Sequence, residues 1–248
     1  SPYHSGEIEL VHNAIEHCGR DIVLSLSCGP APRDKAEHLC RFANLWRTTG
    51  DFWDDWNDLY HAFEICHEWE GVGGPGHWPD ADMLPFGHLA IRATERGWGE
   101  RWTHFTQDEQ ITLMTLWCIF RSPLMVGAEL NDNDEFTLNL LTNDEVLALL
   151  RDGRNARQVY REERYNYAGE VIVWKAEDEA GATYCAVFNC GPKARDLAVQ
   201  LQSTLDLPEG KYAGRDLWAH EEVPVGAHAL EVVVPSHGAR LIKLTRAE

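Results

Sequence analysis

The feature that most constrains this chain is a change of rhythm near Gly153. Before that point, short apolar runs alternate with longer stretches of helical period. After it, short strand-like runs follow one another with turn residues between them. A helical period of 3.6 and a strand period of 2 bury different faces. Two architectures are therefore expected, one over 1–153 and one over 154–248.

In the first part, Ile8 to His17 reads as a helix with Ile8, Val11, His12 and Ile15 on one face and Gly19 as its stop. Asp21 to Ser27 reads as a strand that ends at Cys28-Gly29-Pro30. A helix over Lys35 to Phe42, a strand over Asn44 to Thr49 and a long helix over Phe52 to Trp69 follow. The turn Gly73-Gly74-Pro75-Gly76 precedes a short segment, His77 to Leu84. Thr106-Gln107-Asp108-Glu109 is a capping box. The helix it opens, through Ile119, is apolar nearly all round and is expected to be deeply buried. Pro123 to Gly127 reads as a strand, and Thr142 to Glu145 opens a last helix that ends near Leu150.

This alternation means parallel βα units, an α/β fold. Strands centred on Ile22, Trp46, Asp82 and Leu124 make four units. Four units are half of a (β/α)8 TIM barrel, or a small doubly wound sheet. In the second part, strands are expected near Val171–Trp174, Thr183–Phe188, Leu197–Leu201, Tyr212–Trp218, Leu230–Val234 and Arg240–Leu244. Their spacing predicts an antiparallel β-sandwich.

Composition narrows the function. The chain carries 22 Lys plus Arg against 40 Asp plus Glu, a net charge of -18. That field repels nucleic acid and anionic membranes and suits a neutral substrate. No apolar run approaches the ~20 residues that cross a bilayer. Ten Trp suit either sugar platforms or core packing. Seven Cys without a C-x-x-C pair argue against structural zinc, and Cys28, Cys40, Cys66, Cys185 and Cys190 leave a bridge open. The twelve His show no metal-site spacing, so no metal is expected. No Walker loop, G-x-G-x-x-G or G-x-S-x-G is present.

In a βα barrel the chemistry sits where strands end. Trp46-Arg47-Thr48-Thr49-Gly50-Asp51 places a carboxylate between a strand and a helix. Asp51 reads either as a catalytic acid or as the cap of the following helix. Arg47 shares a strand face with Thr49, and an arginine there can hold substrate hydroxyls. In Gly76-His77-Trp78-Pro79-Asp80-Ala81-Asp82-Met83-Leu84, the two aspartates alternate on one strand face. They are either functional or brace the loop through backbone amides.

These runs, together with Arg121-Ser122-Pro123-Leu124-Met125 and Asp216-Leu217-Trp218, resemble the family 27 glycoside hydrolases, which include α-galactosidases and α-N-acetylgalactosaminidases. The resemblance implies strands five to eight of the barrel, then the family's C-terminal sandwich. It implies a retaining exo-glycosidase that releases terminal α-D-galactosyl residues from oligosaccharides or glycoconjugates, without a cofactor. By the same resemblance Asp51 is the acid/base. Arg47, Cys28, Asp82 and Met83 line the sugar pocket, and Trp46, which opens the run, joins the sugar contacts. The family's nucleophile, an Asp in a Lys-x-Asp context, is expected before Ser1. The start Ser1-Pro2-Tyr3-His4, without Met, then reads as processing or as a piece of a longer chain.

The family's α-galactosidases often carry Glu or Ser after the pocket Cys, where this chain has Gly29 and Pro30. That leaves α-N-acetylgalactosaminide, β-L-arabinopyranoside and isomalto-glucan as alternative substrates. An inactive structural fragment is a further alternative. Open sheet edges invite pairing with a second copy, a homo-oligomer. The resemblance also implies an extracellular or periplasmic location.

Overall fold

A computed structural model describes residues 2–27, 29–91, 99–162 and 170–247. Its first part contains α1 (Ser5–His17), β1 (Ser25–Leu26), α2 (Ala36–Phe42), β2 (Leu45–Arg47), α3 (Trp56–Glu68) and β3 (Trp78–Asp80). The three strands form a parallel sheet in that order, with Leu26 beside Trp46 and Arg47 beside Asp80. A fourth strand-like segment adds on next to β3 through a single parallel bridge, Leu84 to Val126. Leu84 N donates to Met125 O at 2.7 Å and Gly127 N donates to Leu84 O at 2.9 Å. Four parallel segments in sequence order, without reversal, are the arrangement of a barrel wall. A doubly wound sheet would reverse direction part-way, so that alternative is set aside.

The ladders are shorter than the sequence suggests, and side chains explain why. Leu24 bonds through its amide to Asn44 Oδ1 at 2.9 Å, so β1 is confined to Ser25 and Leu26. Ile22 and Val23, expected inside the strand, are exposed. The helix expected from Phe52 begins at Trp56, because Asp55 caps it by accepting from Asn57 N at 2.8 Å. In α1, Ile8 is buried but Val11 is exposed.

The connection from β3 carries an unforeseen hairpin, β4 (His88–Leu89) and β5 (Arg101–Trp102). Next comes α4 (Gln107–Phe120), opened by the expected capping box. Thr106 Oγ1 accepts from Glu109 N at 3.2 Å, and Glu109 Oε2 accepts from Thr106 N at 2.9 Å. Leu113, Met114, Leu116, Trp117 and Ile119 have no exposed surface. Two short helices close the first part, α5 (Glu135–Leu141) and α6 (Asp144–Asp152).

Among the described residues the second part has eight strands: β6 (Arg154–Arg161), β7 (Val171–Glu177), β8 (Thr183–Asn189), β9 (Arg195–Gln200), β10 (Tyr212–Asp216), β11 (Glu221–Val223), β12 (Ala229–Val234) and β13 (Ala239–Arg246). A six-stranded antiparallel sheet runs β11-β10-β13-β8-β7-β6, and β9 pairs with β12 as a separate ribbon. Strand alternation divides β7 and β8 between two cores. Val171, Val173, Cys185 and Val187 pack with the ribbon's Val199, Leu230 and Val234. The intervening Ile172, Trp174, Ala186 and Phe188 share a core with Leu59, Phe63, Leu113 and Trp117 of the barrel half.

Polar contacts pin the same junction. The His237 ring stacks on Trp56 with centroids 3.8 Å apart, and its Nδ1 lies 2.8 Å from Glu109 Oε1. Trp218 Nε1 donates to Thr115 Oγ1 at 2.9 Å. Arg215 Nε donates to Glu145 Oε2 at 2.6 Å.

Among the described residues no disulfide joins Cys40, Cys66, Cys185 and Cys190 to one another. Burial pushes the Cys66 and Cys118 thiols far up and that of Cys185 to about 12. No helix among these residues is long and apolar enough to cross a membrane, and no cluster of three metal-ligating side chains occurs.

Candidate active site

The carboxyl ends of β2 and β3 carry the polar groups. The alternation of β2 sends Trp46 to one side of the sheet and Arg47 to the other. Trp46 has no exposed surface and lies beside Trp69 in the core, ring centroids 6.0 Å apart. Its expected sugar contact is therefore corrected. The ring faces the helical layer, because only every second strand residue can face the strand-end cleft.

Arg47 is held at its backbone by Ala31 N, which donates to Arg47 O at 2.8 Å. Its NH2 lies 2.7 Å from Asp82 Oδ2 and 3.5 Å from Asp51 Oδ1, and it also donates to Gly50 O. One guanidinium nitrogen thus stands between two carboxylates and is closer to Asp82.

Asp82 is fixed on every side. Its backbone takes the left-handed conformation, φ 82°, which a non-glycine residue enters only with support. Asp82 N donates to Asp80 Oδ1 at 2.8 Å, and Asp82 O accepts from Trp117 Nε1 at 2.9 Å. Asp82 Oδ2 accepts from Phe52 N at 2.7 Å. Ala81 N donates to the buried Ser122 Oγ at 2.9 Å. The two aspartates therefore do not simply alternate on one strand face. Asp80 braces the turn, and the turn swings Asp82 across to Arg47. Burial pushes the Asp80 carboxyl above its ordinary value, against the Asp82 amide and Arg47, which pull it down.

Asp51 differs from both. Its side chain is 86% exposed. The helix after it is capped by Asp55, so the reading of Asp51 as a helix cap is set aside. Met83 is half-buried and rests on Gly127, where an added Cβ would come within 2.5 Å of Met83 Sδ. Cys28 lies outside the described residues.

The structure thus brings together Asp51, Arg47 and Asp82. Sequence reasoning missed Ser122 as the brace of the Asp80–Asp82 turn. It also missed Asp54, which is buried three residues beyond Asp51. The only available signal for Ser122 was its place in the Arg121–Met125 run.

Half a βα wall with carboxylates at its strand ends, followed by an antiparallel sandwich, defines a barrel-type glycoside hydrolase scaffold. A family profile described as "Alpha galactosidase A" matches residues 4–152, and one described as "Alpha galactosidase C-terminal beta sandwich domain" matches residues 168–244. The chain belongs to the α-galactosidase A family, within family 27 of the glycoside hydrolases. It is 49% identical to a GH27 β-L-arabinopyranosidase from Geobacillus stearothermophilus, with a TM-score of 0.92 over 98% of this chain and 54% of that one. It is 26% identical to α-galactosidase 2 of Arabidopsis thaliana, over 94% of this chain and 54% of that protein. It is 30% identical to α-galactosidase D of Emericella nidulans, over 80% of this chain and 28% of that protein. The chain therefore spans about half the length, 51% to 54%, of the first curated relatives it matches.

Proposed function

We propose that this chain, over 1–153, supplies the proton-transfer side of a retaining exo-glycosidase site. The sugar it serves is a galacto-configured pyranoside, and 154–248 form the accompanying sandwich. The observation that carries the reading is Asp51: a carboxylate at a strand end, 86% exposed, engaged by Arg47 and excluded from capping duty.

In the first step Asp51, protonated, gives its proton to the glycosidic oxygen as the bond from anomeric carbon to oxygen breaks. A second carboxylate, supplied by the protein outside this chain, forms a bond to that carbon. Asp51 then takes a proton from the water that releases the sugar. Retaining chemistry places the two carboxyl groups ~5 Å apart. Asp82 holds Arg47 at 2.7 Å, against 3.5 Å for Asp51, and the Asp51 carboxyl stays exposed where a substrate can reach it. Arg47 N–H groups, Asp82 and Met83 contact the sugar.

A terminal α-D-galactoside and a β-L-arabinopyranoside share the ring configuration and differ by the hydroxymethyl group at C5. The 49% identity to the arabinopyranosidase, against 26% to 30% for the curated α-galactosidases, favours the pentoside as the better substrate. Comparing kcat/KM for the two nitrophenyl glycosides on the full-length protein tests this choice. If Asp51→Asn left hydrolysis of an unactivated galactoside or arabinoside intact, the catalytic assignment would be wrong.

A further inference from the structure

Asp54 lies three residues beyond Asp51 on the loop between β2 and α3. Its side chain is 1% exposed, against 86% for Asp51. Arg101 of β5 donates to it twice, from NH2 at 2.5 Å and from Nε at 3.2 Å. His104 N donates to Asp54 Oδ2 at 2.8 Å, and His104 Nδ1 lies 3.3 Å from the same oxygen. Arg101 also lies over the Trp53 ring, 5.7 Å from its centroid. Burial would push the Asp54 carboxyl up, but Arg101 and the His104 amide outweigh it and hold it below its ordinary value.

The helix does not require this arrangement, since Asp55 caps α3. As a stabiliser a buried ion pair is a poor device, because desolvation offsets most of the attraction. It is a good device for fixing one loop in a single place on another. The loop it fixes is the one that bears Asp51. It is fixed to Arg101 of β5 and to His104, in the connection after β3 that also carries Asp82 and Met83.

The anchoring points along this loop are unequally placed. Thr48 N and Oγ1 both donate to Asp80 O, at 2.9 and 3.1 Å. Phe52 N donates to Asp82 Oδ2. Asp51 lies between these anchors, and its one described side-chain contact is the 3.5 Å approach of Arg47. Its carboxylate must therefore be placed by the backbone on either side of it. On the downstream side that backbone is held first at Phe52, by Asp82, and then at Asp54, by Arg101 and His104.

We propose that Asp54, clamped by Arg101 and His104, is the positioning residue of the acid/base Asp51. This rests on the reading of Asp51 given above. The test separates proton donation from everything else by leaving group. A dinitrophenyl glycoside leaves with little help from an acid, whereas an alkyl glycoside of the same sugar needs protonation. The full-length protein, Asp51→Asn, Asp54→Asn and Arg101→Lys are compared by kcat/KM, which reports the first step alone.

Asp54→Asn is expected to lose on the order of tenfold to hundredfold on the alkyl glycoside, the scale of a displaced catalytic group. The dinitrophenyl glycoside should be nearly unaffected. Arg101→Lys keeps the positive charge but loses the two-pronged grip, and should give a smaller loss with the same selectivity. It also stands in if Asp54→Asn fails to fold. Equal losses on both glycosides, or no loss on either, overturn the proposal. Selective loss in Asp51→Asn without it in the clamp variants overturns only this inference. Absence of selectivity in Asp51→Asn itself overturns the underlying reading.

Discussion

The two sheets of this chain are built on opposite terms. In the sandwich, β7 and β8 are buried on both faces along their whole length except at Glu177. In the barrel half, the ladders are two or three residues long, and charged groups gather where they stop. Regular pairing over many residues gives the sandwich a large share of the packing. The barrel half spends its sequence on turns, where hydrogen bonds aim Asp80 and Asp82 beside the exposed Asp51. Substitutions in the first region should therefore act on stability, and those in the second on rate.

The sharpest separation comes from Asp51→Ala. The expected loss on an alkyl glycoside is about 10²–10⁴-fold, the usual range for a general acid. The thermal midpoint should stay where it was, because the side chain is exposed. A large fall in midpoint would break the comparison. The converse is Trp174→Ala. This ring has no exposed surface and meets Phe120 edge-on at 6.3 Å, so the truncation should cost about 3–5 kcal/mol in denaturant unfolding. KM of the folded fraction should not change.

Gly127→Ala lies between these cases. The new methyl would press on Met83 Sδ, at a cost of about 1–3 kcal/mol for overpacking. KM should rise, since Met83 is a proposed sugar contact. An unchanged KM would remove Met83 from that role.

The smallest effect concerns the junction. Glu145 is held down to about 2, first by its hydrogen bonds from Arg215 and then by His220. A depressed carboxyl contributes stability that is fully present above its ordinary value of 4.5 and lost as pH falls towards 2. Glu145 is about a third exposed, so the contribution is about 1 kcal/mol or less. Glu145→Gln should lower stability by that amount at neutral pH, and the gap should close in acid. A gap that widened in acid would contradict the assignment.

The sequence shows the architecture more readily than the details. The change of rhythm at Gly153 separates βα units from antiparallel strands, because period reports which faces are buried. The capping box at Thr106 to Glu109 is local chemistry and needs no tertiary context. Other elements depend on partners that a sequence does not show. The strand Arg154–Arg161 is mostly polar and becomes a strand only because β7 offers an edge. The start of α3 depends on the choice of Asp55 over Asp51 as cap. Asp54 and Asp51 look alike in sequence, and Arg101, which separates them, is 47 residues away.

From Thr112 to Phe120 the helix has no side left for water, and this affects how the molecule can be taken apart. Gly153 divides the sequence, but no seam divides the folded molecule there. Phe63 of the barrel half meets Phe188 of the sandwich with ring centroids 4.9 Å apart. A cut at Gly153 would leave each piece with half of one apolar surface exposed, a condition that leads to aggregation. Neither piece should be recoverable alone in native form, although mixing both during refolding could restore the whole.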